Sequence, residues 1–325
     1  MTRYSVNTIA TKSALNRIRK YIRKTPLEVS RSLSRLTEGQ VFFKMEHWQH
    51  TGAFKVRGAL NRMITLNEDE KQKGIITASA GNHGLGVAYA SEILGIRSRI
   101  VLPVTASPTK LRLLKFYGVE IVQAGEDYDE AEDIAHQIEK DCGLTFVHAF
   151  DDTKIIAGQG TLALEILKDL PDPDIVLVPL GGGGLISGIA ITLKKYFPRV
   201  KIIGVQSKAS PAVYRAVQAK HAIETPIEET IADGLAGRLV SPKILEAIQK
   251  YVDDVILVDE KDIVLSILFL LQQEHMLVEG AAAVGVAALL SQKISIENKK
   301  CVVLLTGRNI DISTVKTVLQ HTFEK

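Results

Sequence analysis

From about residue 74 onward, short runs of β-branched and apolar residues alternate with longer segments of helical periodicity. This alternation is typical of parallel strands joined by crossover helices, and the nearly continuous apolar character of the runs favours strands covered on both faces. The sequence therefore predicts an α/β protein with an open parallel sheet. The predicted strands are 41–45, 75–78, 99–102, 120–123, 175–179, 201–205, 254–258 and 301–305.

The length of the chain adds a second constraint. At 325 residues it exceeds the size at which one hydrophobic core usually keeps growing, so we expect two lobes with a cleft between them. The sequence shows neither a fixed-period repeat nor a Pro/Ser-rich linker. The smaller lobe is therefore predicted to be inserted in the larger one rather than attached after it.

Charge and cysteine content exclude several classes of protein. The 40 basic and 37 acidic side chains are interspersed, so no nucleic-acid surface is indicated. Cys142 and Cys301 stand far apart without metal-ligand spacing, which favours a reducing compartment. No apolar stretch has the length of a secretory signal or a membrane span. We expect a cytoplasmic protein that binds neither nucleic acid nor membranes.

Lys55 stands among small residues in the segment TGAFKVRGA, positions 51–59, which follows a predicted strand and opens a helical pattern. Small neighbours leave room for a ligand beside the amine. Desolvation there would lower the pKa of Lys55 and supply a neutral amine that can form a Schiff base. The alternative is a solvated lysine in the first turn of an amphipathic helix.

A second segment, SAGNHG at positions 79–84, connects a predicted strand to a predicted helix. The free backbone amides of a helix N-terminus bind anions, so this loop could hold a substrate carboxylate while Asn82 reaches a polar ring substituent. The alternative is a simple turn in which Ser79 or Asn82 caps the helix.

Four consecutive glycines follow the predicted strand 175–179: Gly181, Gly182, Gly183 and Gly184. Such a run lets successive amides turn toward a phosphate. A dinucleotide fingerprint is not met, because Ser187 stands where its third glycine belongs and Gln206 replaces the acidic ribose partner. No Lys-Ser/Thr follows, so a nucleotide P-loop is excluded. The alternative is a flexible hinge.

Thr306 ends the last predicted strand, and its hydroxyl could hydrogen-bond a ring nitrogen. Ligands of open parallel sheets gather beyond the carboxyl ends of the strands, so all four segments would face one crevice. The alternative is an ordinary threonine before a glycine turn. Seven histidines lack a partner at ligand spacing and are predicted to be structural: His47, His50, His136, His148, His221, His275 and His321.

Taken together and in this order, the four segments resemble pyridoxal-phosphate enzymes of the tryptophan-synthase-β type, specifically the serine/threonine dehydratase group. The resemblance extends to AGQGT at 157–161, TIADG at 230–234 and VEGA at 278–281. It implies a two-lobed fold with a larger cofactor-binding domain at 1–50 and 149–325. Residues 51–148 would form the smaller, substrate-binding domain.

The resemblance also implies a role for each segment. Lys55 would bind the cofactor aldehyde as a Schiff base and act as the catalytic base. The implied cofactor-binding residues are Phe54, Lys55, Asn82, Gly181, Gly182, Gly183, Gly184, Leu185, Gly234, Glu279 and Thr306. The implied substrate-binding residues are Ser79, Ala80, Gly81, Asn82 and His83.

The implied activity is the dehydration and deamination of L-threonine or L-serine to a 2-oxo acid and ammonia. Ala80 replaces the serine of related serine racemases, so we expect little racemisation. The segment TGRNID at 306–311, with Arg308 where glycine is commoner, resembles hydroxyectoine-utilisation dehydratases, so a related hydroxy amino acid is an alternative substrate. A nicotinamide oxidoreductase and a non-catalytic binding protein are the other hypotheses.

Metal, regulation and assembly complete the expectations. The segment QSKASPA at 206–212 lacks the Glu and Asp of metal-activated relatives, so no metal site is expected. The sequence ends at Lys325, soon after the last motif, and no regulatory domain is expected there. The resemblance implies a homodimer.

Overall fold

The computed structural model describes residues 8–106 and 108–320, so His321 and both chain ends lie outside it. Ten strands in these ranges form two sheets. The larger sheet has the order β1-β2-β10-β7-β8-β9, and the smaller has the order β5-β4-β3-β6. The strands are β1 Leu27–Ser30, β2 Gln40–Lys44, β3 Ile75–Ala78, β4 Ser98–Leu102, β5 Glu120–Gln123, β6 Thr145–Phe146, β7 Ile175–Pro179, β8 Lys201–Ser207, β9 Asp254–Val258 and β10 Lys300–Leu304.

All eight strands predicted from the sequence are present, with ends that shift by at most two residues. The two that were not predicted are β1 and β6. Strand β1 has four residues at the sheet edge and leaves Val29 exposed, so it carries no continuous apolar pattern. It pairs antiparallel with β2, whereas the other pairings in both sheets are parallel. The parallel pairing predicted for the eight strands is confirmed, and the antiparallel edge strand is an addition that the sequence pattern did not indicate.

The helices cover both faces of the larger sheet. Alternate residues of β7 point to opposite sides. Leu177 therefore joins the core formed with the helices at 260–273 and 280–290, whereas Val176 joins the core formed with the helices at 184–196 and 242–251. The helices are α1 Thr8–Ile18, α2 Arg31–Leu36, α3 Val56–Ile64, α4 Glu68–Lys73, α5 Asn82–Leu94, α6 Pro108–Phe116, α7 Tyr128–Cys142, α8 Thr153–Gln159, α9 Thr161–Asp169, α10 Gly184–Tyr196, α11 Ala212–Ala219, α12 Pro242–Tyr251, α13 Glu260–Gln273, α14 Gly280–Leu290 and α15 Ile312–Gln320.

The smaller sheet is inserted in the larger one. Its four strands all come from residues 75–146, between β2 and β7 of the larger sheet. This arrangement confirms the two-lobed α/β fold class. The domain boundaries at residues 50/51 and 148/149 stay a prediction. Among the helices described, none combines the length and the apolar character that a membrane span requires.

A cluster of four buried charged residues, here called the buried ion cluster, links the end of β2 to helices α3 and α9. Its members are Lys44 at the end of β2, Glu46, Arg57 on α3 and Glu165 on α9. Arg57 is fully buried, and its guanidinium lies 2.7 Å from each of two carboxylates, those of Glu46 and Glu165. Lys44 Nζ lies 2.7 Å from Glu165. The cluster therefore fixes the start of α3, two residues beyond Lys55.

Candidate active site

Lys55 lies at the N-terminus of α3, where backbone contacts join the first predicted segment to the fourth. Ala53 forms a β-bridge with Gly307, and the Phe54 amide donates to the Thr306 carbonyl at 3.1 Å. The Lys55 amine donates to the Ala149 carbonyl at 2.9 Å. Burial lowers the pKa of Lys55 to about 8, although the Glu279 carboxylate opposes the shift. A neutral amine is therefore accessible near physiological pH.

The predicted cofactor-binding residues all line one cavity. Lys55 stands at one wall and the four glycines at another. The complete lining is Phe54, Lys55, Asn82, Ala149, Phe150, Gln159, Pro179, Gly181, Gly182, Gly183, Gly184, Leu185, Gly234, Leu235, Glu279, Ala281 and Thr306. The four sequence segments therefore meet in space, as the crevice argument predicted.

The glycine-rich loop is shaped for a bound anion. Helix α10 starts at Gly184 and is preceded by Gly183 at φ +83°, a left-handed conformation that favours glycine. No side chain caps this helix, so its first amides are open to the cavity. A Cβ on Gly182 would collide with the Phe150 ring, and one on Gly183 would collide with Ile244. The loop is thus held close to its neighbours and keeps its amides unobstructed.

A second cavity adjoins the first and shares Asn82, Gly234 and Glu279 with it. Ala80 and Gly81 line this second cavity, together with Leu85, Lys110, Leu113, Asp233, Asn309, Ile310 and Asp311. Gly81 is the N-cap of α5, and neither Ser79 nor Asn82 caps the helix with its side chain. The first amides of α5 are therefore available to a carboxylate.

Two of the predicted substrate-binding residues line neither cavity. Ser79 Oγ accepts from the Gly81 amide at 3.2 Å. The His83 ring is buried, and its Nε2 lies 2.9 Å from the Val147 carbonyl. Burial, with a further effect of the Lys55 charge, lowers the pKa of His83 to about 3, so its imidazole is neutral. The His83 ring therefore contacts the Val147 backbone and does not line either cavity.

Asn82 belongs to a hydrogen-bonded triad with Glu279 and Asn309. The Asn82 amide donates to Glu279 Oε1 at 2.7 Å, and Asn309 Nδ2 donates to Asn82 Oδ1 at 2.6 Å. The Asn309 backbone amide donates to Glu279 Oε2 at 3.1 Å. Burial raises the pKa of Glu279 to about 7 although the Asn82 hydrogen bond opposes this. The triad fixes the direction of the Asn82 amide toward the cavity.

Among the cavity residues to which sequence reasoning assigned no role, four make contacts that shape the site. Ala149 and Phe150 follow β6, which is too short to be recognised, and their loop carries no motif. Gln159 lies in the AGQGT segment, and its Oε1 is buried without a hydrogen-bond partner among the described residues. Asn309 lies in the TGRN segment. For Gln159 and Asn309 the surrounding motifs indicated the site, although the sequence did not show which residue of each motif would line it.

Comparison with known proteins agrees with this geometry. Residues 18–307 match the family model described as pyridoxal-phosphate dependent enzyme. The chain belongs to this family. Pyridoxal phosphate is its cofactor. Among this family's solved structures, maize serine racemase superposes with a TM-score of 0.92 at 32% identity and 99% coverage of both chains.

Two curated relatives within this pyridoxal-phosphate family are more similar in sequence. The chain is 41% identical over 308 residues to the L-threonine ammonia-lyase of Thermotoga maritima, which covers 95% of this chain and 77% of that protein. It is also 41% identical to the catabolic L-threonine dehydratase TdcB of Staphylococcus aureus, with 94% and 89% covered.

The residues present fit pyridoxal phosphate. The uncapped N-terminus of α10 suits the phosphate, and the Lys55 amine lies in the same cavity. Thr306 is buried in the cavity wall, directly before Gly307, which forms the β-bridge to Ala53. The N-terminus of α10 would hold the phosphate of the cofactor, Lys55 its aldehyde and Thr306 its ring.

The lowered pKa of Lys55 predicts how cofactor capture depends on pH. Because only the neutral amine attacks an aldehyde, the capture rate of the apoprotein should rise with pH and level off above about 8. Stopped-flow absorbance after adding pyridoxal phosphate measures this rate, with free Nα-acetyl-lysine as the reference amine. A rate that still climbs at about pH 10 would show an unshifted lysine.

Proposed function

We propose that this protein is an ammonia-lyase that converts L-threonine, and L-serine more slowly, to a 2-oxo acid and ammonia. One observation carries the proposal: an amine of lowered pKa and two uncapped helix N-termini open on a pair of joined cavities. Two anion sites and one amine match the needs of a phosphorylated aldehyde cofactor and an amino-acid carboxylate.

Each residue is proposed to perform one task. The amides of α5 hold the substrate carboxylate, so the α-carbon is presented to Lys55. The bound cofactor supplies an electron-withdrawing system conjugated to the substrate nitrogen. The Lys55 amine, once neutral, accepts the α-proton. Thr306 offers a neutral hydroxyl to the ring, which favours rapid loss of the β-hydroxyl over transamination.

The cavity walls are also proposed to determine substrate size. Leu85, Leu113 and Ile310 supply an apolar wall in the second cavity, which adjoins the cavity lined by Lys55. A methyl group that contacts such a wall contributes on the order of 1 kcal/mol, enough to favour threonine over serine several-fold. The hydroxyectoine-type substrate and serine remain as alternatives for the same site.

The decisive experiment is incubation of the purified holoenzyme with a panel of hydroxy amino acids, in both enantiomers. We expect stoichiometric 2-oxo acid and ammonia from L-threonine and less from L-serine. Product from the hydroxyectoine-derived amino acid alone would select that alternative. A cofactor-loaded protein that yields no product from any of them would contradict the proposal.

Ala80 provides a test of reaction specificity. It lies in the cavity that adjoins the one holding Lys55, and it has no group that can carry a proton. We expect Ala80→Ser to raise the rate of D-serine formation from L-serine at least about tenfold, because a hydroxyl can deliver a proton to the second face. Chiral chromatography measures the product.

Ala149→Ser is the matched control, because it adds the same hydroxyl beside Lys55. No gain in D-serine is expected from it. Equal gains in both variants would show that the position of the hydroxyl does not determine stereochemistry, and the proposed role of Ala80 would be abandoned.

Assembly and location are proposed from the family resemblance. We propose a cytoplasmic homodimer whose larger domain is residues 1–50 and 149–325 and whose smaller domain is 51–148. Cys142 is free and exposed and Cys301 is free and buried, which fits a reducing compartment. Light scattering coupled to gel filtration tests the dimer.

A further inference from the structure

The imidazole of His148 forms a local hydrogen-bonded turn beside the active site. Its Nδ1 lies 3.1 Å from the Phe150 amide and 2.9 Å from the Asp151 amide. Both amides can only donate, so Nδ1 is the acceptor and carries no proton. The neutral tautomer therefore has its hydrogen on Nε2, and a single ring nitrogen holds two consecutive backbone amides.

The turn that His148 holds supplies two parts of the cofactor cavity. The carbonyl of Ala149 accepts the hydrogen bond from the Lys55 amine. The ring of Phe150 covers the glycine-rich loop, so closely that a Cβ on Gly182 or Gly184 would collide with this residue. The His148 ring meets the Phe150 ring edge-on, with centroids 4.6 Å apart. The His148 side chain thus contacts the turn that carries both the Ala149 carbonyl, which accepts from Lys55, and the Phe150 ring, which forms one wall of the cavity.

We propose that His148 is a positioning residue: its unprotonated Nδ1 holds the 148–151 turn, which in turn places the Ala149 carbonyl at Lys55 and Phe150 on the glycine-rich loop. The inference rests on the proposed function, since it concerns the same cavity. The proposal goes beyond the expectation that this histidine is structural, because it gives the structural contact a consequence for the cofactor cavity.

The charged groups around His148 come from several elements. Glu132 approaches from α7, Asp151 from the turn itself, Asp152 from the N-cap of α8, and Lys55 from the start of α3. His83 on α5 also lies within electrostatic range. Burial lowers the pKa of His148, the carboxylates oppose this, and Lys55 adds to it. The turn is therefore intact at neutral pH and loses both hydrogen bonds when acid protonates Nδ1.

Two substitutions separate the acceptor from the bulk of the ring. In His148→Asn the side-chain oxygen can accept from an amide two residues ahead, as asparagine commonly does in turns. In His148→Phe the ring packing on Phe150 is kept but the acceptor is lost. His136→Asn is the matched control, because His136 stacks on Phe146 at 4.1 Å and is 42% exposed.

The first measurement is the dissociation constant of pyridoxal phosphate, obtained by spectroscopic titration of each apoprotein. We expect about tenfold weaker binding in His148→Phe and a change within about twofold in His148→Asn and His136→Asn. Binding by His148→Phe as tight as that of the wild type would overturn the proposal. Equal losses in the Phe and Asn variants would also overturn it, because the acceptor would then not be the cause.

The second measurement does not depend on activity, and it is made on the wild-type protein, with His148→Asn needed only to assign one signal. The ¹⁵N shifts of labelled histidines in the wild-type protein distinguish a bare Nδ1 from a protonated one, and His148→Asn assigns the signal. A His148 signal with a protonated Nδ1 at pH 7.5 would overturn the proposal. Failure of the proposed function is seen separately, as wild-type protein that binds the cofactor but forms no 2-oxo acid.

Discussion

Lys55→Ala should lose at least about 10³-fold in turnover of L-threonine, together with the yellow colour of the cofactor-loaded protein. The reason is that one amine is proposed to perform two tasks, capture of the aldehyde and transfer of the α-proton. Its neighbours in the cavity offer no second amine, since Asn82, Gln159 and Thr306 are neutral. Steady-state assay and absorbance spectra give both quantities on one preparation.

Lys208→Ala is the control for this experiment. Lys208 lies on the surface and pairs with Asp259 at 2.7 Å, with about half of each side chain exposed, 49% and 46%. We expect colour and turnover like those of the wild type. If Lys55→Ala keeps the spectrum and the activity, another amine binds the cofactor and the proposed site is wrong.

Arg57→Ala should lower the free energy of unfolding by about 3 to 5 kcal/mol, because it removes a buried cation and leaves the two carboxylates that it pairs with in place. Glu46 and Glu165 would then share Lys44, the remaining cation of the cluster. Burial alone would lower the pKa of Arg57, but the two carboxylates outweigh it and raise the pKa, so the guanidinium stays charged. Urea unfolding followed by circular dichroism measures the loss.

The same Lys208→Ala variant serves as an exposed-pair comparison, with an expected change within about 1 kcal/mol. Arg57→Lys keeps a charge but cannot bridge both carboxylates in the same way, so it should fall between the two. An Arg57→Ala protein as stable as the wild type would show that the cluster contributes little to the fold.

The course of the chain was largely predictable from the sequence because buried parallel strands have a strong local pattern. Strand β7, with the sequence IVLVP, is buried along its whole length, and its bounds were predicted without error. Strand β6 has two residues, and β1 is an exposed edge strand, so neither has enough buried residues to produce a pattern. Pairing direction at an edge depends on tertiary contacts that no short segment encodes.

The candidate site could be predicted from the sequence where a residue pattern is rarely explained by folding alone. Four successive glycines and a lysine among small residues are such cases, and both lie in the cavity. The proposed role of His148 could not be recognised from the sequence, since it depends on hydrogen bonds from two backbone amides and on the Ala149 carbonyl in the same turn. The Asn309 side chain meets Asn82, 227 positions earlier, a contact that only the folded chain creates.

The insertion of the smaller sheet has a mechanical consequence. Only two stretches of chain between β2 and β7 pass from one sheet to the other, and they carry Lys55 and Ala149 respectively. When one lobe rotates against the other, these stretches act as the hinge, and atoms close to a rotation axis move least. Under such a rotation we expect the amine and its carbonyl acceptor to keep their separation, while parts of the cleft farther from the two stretches move apart.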